Sequence, residues 1–103
     1  MVVAEAAASQ GLSLYKSGRH DEALAAFSRA IEAQPSATLY KNRAAVEAAL
    51  ERWDDAERDL SAALGEARGA LRSRILLKRS FARARLERHG AAAEDAGSAA
   101  ECA

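Results

Sequence analysis

Basic side chains are the residues in this chain whose type and crowding offer the most chemistry. The stretch LRSRILLKRSFARARLERH carries seven of them between residues 72 and 88, with Glu87 as its single acid. Guanidinium and ammonium groups at that density recognise carboxylates or phosphates through charge-assisted hydrogen bonds. The seven spread around a helix, however, and the whole chain balances 15 basic against 15 acidic residues, which argues against a nucleic-acid surface. A second pattern pairs charges at a fixed interval: Arg43 precedes Asp59 by 16 residues, and Arg79 precedes Asp95 by 16. On two antiparallel helices such positions face one another, so two internal Arg–Asp bridges are predicted, with a structural purpose. Other reactive residue types do not assemble. His20 and His89 fall at equivalent inter-helix turns where a third copy has Trp53, so they read as packing residues. Ser9, Ser13 and Ser61 lack a Ser/His/Asp arrangement, and no His/Cys cluster has metal-ligand spacing. GEARGA, residues 65–70, lacks the Lys and the preceding strand of a phosphate loop. The chain therefore reads as a binding protein, not an enzyme, with no cofactor.

The elements that must position these charges announce themselves by repetition. LERWDDAERDLSAA (50–63) recurs as LERHGAAAEDAGSA (86–99), and SGRHDEALAAFSRAI (17–31) aligns with LERWDDAERDLSAAL (50–64). The spacings are 36 and 33 residues. In the first copy Ala23, Leu24, Phe27, Ala30 and Ile31 form the i, i+3, i+4 stripe of a half-buried helix. Gly18 closes the preceding helix, Asp21 and Glu22 suit the positive N-terminal end, and Pro35 stops the helix. Helices are predicted near 3–16, 20–33, 37–50, 53–65, 70–88 and 91–101. No alternation of β-branched residues competes, so the expected fold is all-α: one domain over 1–103, with repeats of about 4–36, 37–69 and 70–103. Abundant alanine favours close helix packing. The lone Cys102 needs no disulfide partner, and the opening MVVAEAAASQ resembles neither a secretory signal nor a membrane span, which suggests a cytoplasmic protein without membrane contact.

Helix pairs of this period, with small residues in the first helix, then A-x3-F and a closing Pro, resemble tetratricopeptide repeats. Gly11, Gly18, Ala23, Phe27, Ala30 and Pro35 carry the match in the first copy. Tyr40, Ala44, Ala56, Leu60 and Ala63 carry it in the second, and Leu76, Ser80, Ala92, Ala96 and Ala99 in the third. Arg68 stands where the second copy would have its Pro. The resemblance implies a right-handed superhelix of three hairpins, with the first helix of each lining a concave face. It places Glu5, Ala8, Ser9, Leu12, Tyr15 and Lys16 on that face, then Thr38, Lys41, Asn42, Ala45, Ala48 and Ala49, then Arg74, Leu77, Lys78, Phe81, Ala84 and Arg85.

So sorted, a neutral chain acquires a cationic groove of Lys16, Lys41, Arg74, Lys78 and Arg85 against Glu5 alone. Leu12, Tyr15, Leu77 and Phe81 supply apolar contact. The resemblance implies a protein–protein adaptor that binds an acidic or C-terminal peptide, with Arg74, Lys78 and Asn42 on carboxylate or backbone and Lys41 and Lys16 steering. Co-chaperone members of the family clamp the acidic tails of cytosolic heat-shock chaperones. Asn42, Arg74 and Lys78 match that clamp, whereas Ala8 and Leu12 replace a lysine and an asparagine. The alternative expectation is a structural subunit. The last helix, AAAEDAGSAAECA, lacks a polar covering helix, and its alanine face would dock onto another copy or chain.

Overall fold

A computed structural model describes the backbone of residues 2–94 and the side chains of residues 3–87. Five α-helices follow in order: α1 Val2–Lys16, α2 His20–Ala33, α3 Ala37–Ala49, α4 Trp53–Leu64 and α5 Gly69–Glu94. No strand occurs among the described residues, and the fold is an all-α helical repeat. Connections of three or four residues force successive helices antiparallel, so α1, α3 and α5 run one way and α2 and α4 the other.

Two of the turns are one motif, written twice. After α1 the Gly18 N–H donates to Tyr15 O at 3.0 Å and Arg19 N–H to Leu14 O at 2.9 Å, with Gly18 at φ +83°. After α3 the Glu51 N–H donates to Ala48 O at 2.9 Å and Arg52 N–H to Glu47 O at 2.8 Å, with Glu51 at φ +61°. Both are Schellman closures, which need one left-handed residue. The helices that follow start on Arg19 and Arg52, neither of which caps through its side chain. Instead each arginine pairs with an acid in the first turn, Arg19 with Glu22 at 2.6 Å and Arg52 with Asp55 at 3.1 Å, and those acids also oppose the helix dipole. Ser36 caps α3, its Oγ accepting from the Leu39 N–H at 3.2 Å.

Small residues meet large ones across each pair. Phe27 is fully buried and lies against Gly11, where an added Cβ would approach its ring to 2.9 Å. Ala7, Ala23, Ala30, Ile31, Leu39 and Val46 complete that cluster, and Ala44, Ala56, Leu60, Ala63, Ile75 and Ala82 form the next. Alanine at these places lets backbones approach closely, and each core is thin.

One boundary differs from expectation. The predicted turn at His89–Gly90, separating helices at 70–88 and 91–101, does not form; α5 runs through it to Glu94, and His89 lies inside a helix. A single glycine costs a helix only about 1 kcal/mol, and the Ala91–Ala93 run beyond it has the highest helix propensity. No capping Ser, Thr, Asp or Asn stands there to start a new helix. Asp95, its expected bridge to Arg79, and the alanine face of the last predicted helix lie outside the described residues.

Candidate functional site

A cavity of about 480 Å³ opens between α3 and α5. Its walls are Ala45, Ala48 and Ala49 from α3 and Leu77, Lys78 and Phe81 from α5, with Tyr15 of α1 reaching one edge. Trp53, Ala56 and Leu60 of α4 form the floor. The cavity has a sequence cause. At the 33-residue period, α1 carries Leu12, Tyr15 and Lys16 where α3 carries Ala45, Ala48 and Ala49. Tyr15 fills its own slot by packing on His20, with ring centroids 5.4 Å apart. One repeat on, Trp53 replaces His20 but Ala48 replaces Tyr15, so no ring from α3 packs on the indole, which is otherwise largely buried in the second core cluster. Trp53 meets instead the edge of Phe81 at 5.7 Å, and Arg85 lies over both rings, 5.6 Å from one centroid and 5.1 Å from the other. Phe81 and Leu77 remain 53% and 72% exposed, a large apolar surface for a small protein.

Beside this apolar floor stand the cations. Lys41 is partly buried, and its pKa is lowered first by desolvation and then by the positive charges of Lys78 and Arg74. The charges of Lys78 and Arg74 on α5 are thus felt at Lys41 on α3. None of the three takes part in a salt bridge among the described residues, unlike Arg83, which holds Glu57 at 3.0 Å. Asn42 follows Lys41 on α3, half-buried and outside the cavity wall. Lys16 and Leu12 are exposed on α1 and do not line the cavity. Of the predicted groove residues the structure thus gathers Lys41, Arg74, Lys78, Tyr15, Phe81 and Arg85 around α3 and α5. Trp53 and the alanines below it were not expected as part of a site.

The opposite face of α3 holds the predicted bridge. Arg43 donates from Nε and Nη2 to the two carboxylate oxygens of Asp59, at 2.7 and 2.8 Å, and from Nη1 to Ser28 Oγ at 3.2 Å. Asp59 holds the Arg43 pKa up. Glu47, one turn along and buried, comes within 3.8 Å of the same guanidinium. Desolvation, a hydrogen bond with Asp59 and the repulsion of its charge raise the Glu47 pKa from 4.5 to about 8, against the pull of Arg43. The Arg-to-Ser reach recurs one repeat later, where Arg79 donates to Ser61 Oγ at 3.3 Å. The 33-residue match of Ser28 and Ser61 was the signal for these inter-repeat links.

No group of three or more His, Cys, Asp or Glu able to hold a metal exists among the described residues, and no described helix is long and apolar enough to cross a membrane.

Residues 4–37 match the family model described as tetratricopeptide repeat. Over 55 residues, 53% of the chain, the sequence is 40% identical to Sperm-associated antigen 1 of Rattus norvegicus; that stretch is 6% of the relative's own length. No solved structure matches. A tetratricopeptide repeat is thus detected in the first helix pair, and repeats of this kind form a non-catalytic fold that generally mediates protein–protein interaction.

Proposed function

We infer that the chain is a cytoplasmic protein–protein interaction adaptor, acting as one helical-repeat domain without catalytic activity. Its groove between α3 and α5 takes up an acidic or C-terminal peptide segment of a partner. What supports this reading is an apolar cavity with Lys78 in its wall and no salt bridge to Lys78, Lys41 or Arg74 among the described residues, where Lys41 is held low in pKa by desolvation and then by the charges of Lys78 and Arg74. Uncompensated like charges cost free energy, and a carboxylate entering among them relieves that repulsion while gaining charge-assisted hydrogen bonds. Arg74 suits a bidentate contact; Lys78 and Lys41 act as point charges. A heat-shock chaperone tail is one ligand of this chemistry. With Ala8 and Leu12 in the first repeat, its affinity should fall more than tenfold below that of a full clamp, the loss of charged hydrogen bonds costing about 1.5–3 kcal/mol each.

Fluorescence anisotropy with a dye-labelled acidic peptide tests the reading. Affinity should drop about tenfold or more as salt rises from low to several hundred millimolar, and Arg74→Glu or Lys78→Glu should abolish binding. Binding that ignores both salt and these substitutions would exclude the groove.

A further inference from the structure

We propose that Arg43, Asp59, Glu47 and Ser28 form a proton-operated clasp between the first two hairpins. With its proton on, Glu47 leaves Arg43 to hold Asp59 and Ser28 together. With its proton off, Glu47 draws the guanidinium to itself, and the α1–α2 hairpin is freed to turn against α3–α4. The clasp lies on the opposite face of α3 from the groove and does not depend on what the groove binds.

Arg43 is shared by three elements. Its Nε and Nη2 donate to the Asp59 carboxylate of α4, its Nη1 donates to Ser28 of α2, and its Nε lies 3.8 Å from Glu47 Oε2, one turn along α3. Of these contacts, the Ser28 bond is the one that crosses between hairpins. Glu47 is only 6% exposed, and its Oε1 has no hydrogen-bond partner. A carboxylate so placed lacks donors, whereas a protonated carboxyl needs one acceptor, and Asp59 supplies it. The charges acting on Glu47 are Asp59 and Asp55 of α4, which repel its ionised form, and Arg43, which attracts it. Asp55 is itself paired with Arg52 at 3.1 Å and Arg58 at 2.9 Å. From α2 the cluster receives the Ser28 hydroxyl, while the neighbouring Arg29 donates to Gln10 of α1 at 2.9 Å.

Once Glu47 ionises, the site holds two buried carboxylates and one guanidinium, and full pairing of both is impossible. Arg43 and Glu47 stand four residues apart on one helix, a spacing at which they pair without help from another element. The guanidinium thus has two competing partners, and a single proton decides between them, which is a local charge change biasing a two-state element. The packing itself does not call for these charges. At the 33-residue period the first hairpin carries Gln10, Leu14 and Ala26 where the second carries Arg43, Glu47 and Asp59. Desolvation, then the hydrogen bond and charge of Asp59, keep the proton on Glu47 up to about pH 8, so the clasp is closed at neutral pH and opens above it.

Spin labels on cysteines placed at Ala25 and Ala62, exposed on α2 and α4, report the angle between the hairpins through their distance. A Cys102→Ser background removes the native thiol. Nitrogen-15 NMR of Arg43 Nε and carbon-13 NMR of the Glu47 carboxyl follow the two partners in the same pH series. Between pH 6 and pH 9 the distance distribution of the otherwise native chain should shift and broaden. The Arg43 Nε resonance should move together with the Glu47 carboxyl, near pH 8. Glu47→Gln should keep the pH 6 distribution at both values, and Ser28→Ala should show the pH 9 distribution already at pH 6.

An Arg43 resonance that stays in place while Glu47 titrates, or one distance distribution at both pH values, would overturn the clasp. So would a Glu47→Gln chain that moves with pH as far as the native one, because another group would then be the sensor. Ser28→Ala with an unchanged pH 6 distribution would overturn the link between hairpins. Loss of helicity by circular dichroism at pH 9, absent in Glu47→Gln, would assign the proton to the whole fold and overturn the clasp as a local joint.

Discussion

Among the described residues, Glu47 is the carboxyl whose pKa is displaced furthest, and it makes stability depend on pH. Its pKa of about 8 in the fold stands well above 4.5, so between those values the native chain keeps a proton that the unfolded chain has released. Stability must therefore fall as pH rises from about 4.5 to 8 and level off beyond. Glu47→Gln removes that dependence, retains the shape and a donor toward Asp59, and should stabilise the protein at pH 9 by on the order of 1–3 kcal/mol. Urea unfolding of both proteins at pH 5, 7 and 9 checks this; parallel pH profiles would contradict it. The sequence announced the neighbouring bridge, because Arg43 and Asp59 sit 16 residues apart on a predicted hairpin. It did not announce Glu47. A Glu four residues after an Arg has the spacing of an ordinary surface pair, and only the approach of α4 turns that pair into a buried triad.

At the scale of elements, the two Schellman turns put different residues at the same left-handed place. Gly18 adopts φ +83° freely, whereas Glu51 at φ +61° carries a Cβ penalty. Glu51→Gly should raise stability by about 0.5–1 kcal/mol, and Gly18→Ala should lower it by about 1 kcal/mol, both readable in thermal or urea melts. If Glu51→Gly proved destabilising, the turn geometry described for residues 50–52 would be wrong. Five helix starts and four turns were legible: Gly18 closed α1, Pro35 followed α2, the two glycines of GEARGA marked the turn before α5, and the turn at 50–52 came from the repeat. The turn at 89–90 rested on repeat alignment alone, and local propensity across Ala91–Ala93 overrode it. A period tells where a turn would keep the register; it does not supply the residues that break a helix.

Across the whole molecule, the cavity belongs to no single helix. It arises because the three first helices are unequal copies, with large side chains on α1 and α5 flanking three alanines on α3. The cationic half was legible, since charges could be sorted position by position once the period was known. The apolar half was not, because an absence of side chains between two helices becomes a hole only when their separation is known. Ala48→Tyr, restoring what α1 carries at Tyr15, should fill the space, raise stability by about 0.5–1 kcal/mol and weaken acidic-peptide binding about tenfold or more. Melts and anisotropy on one preparation test both effects; a filled cavity with unchanged peptide affinity would detach the pocket from the function. Behind the same helix, Arg43 bonds Asp59 of its own hairpin and Ser28 of the one before. Such directional bonds fix the angle between neighbouring hairpins, as a hinge pin fixes two leaves. Arg79 of α5 makes the corresponding bond to Ser61 of the hairpin that carries α3, so the spacing of the two jaws is governed from behind, and a change at Ser61, remote from any bound peptide, would alter how wide they stand.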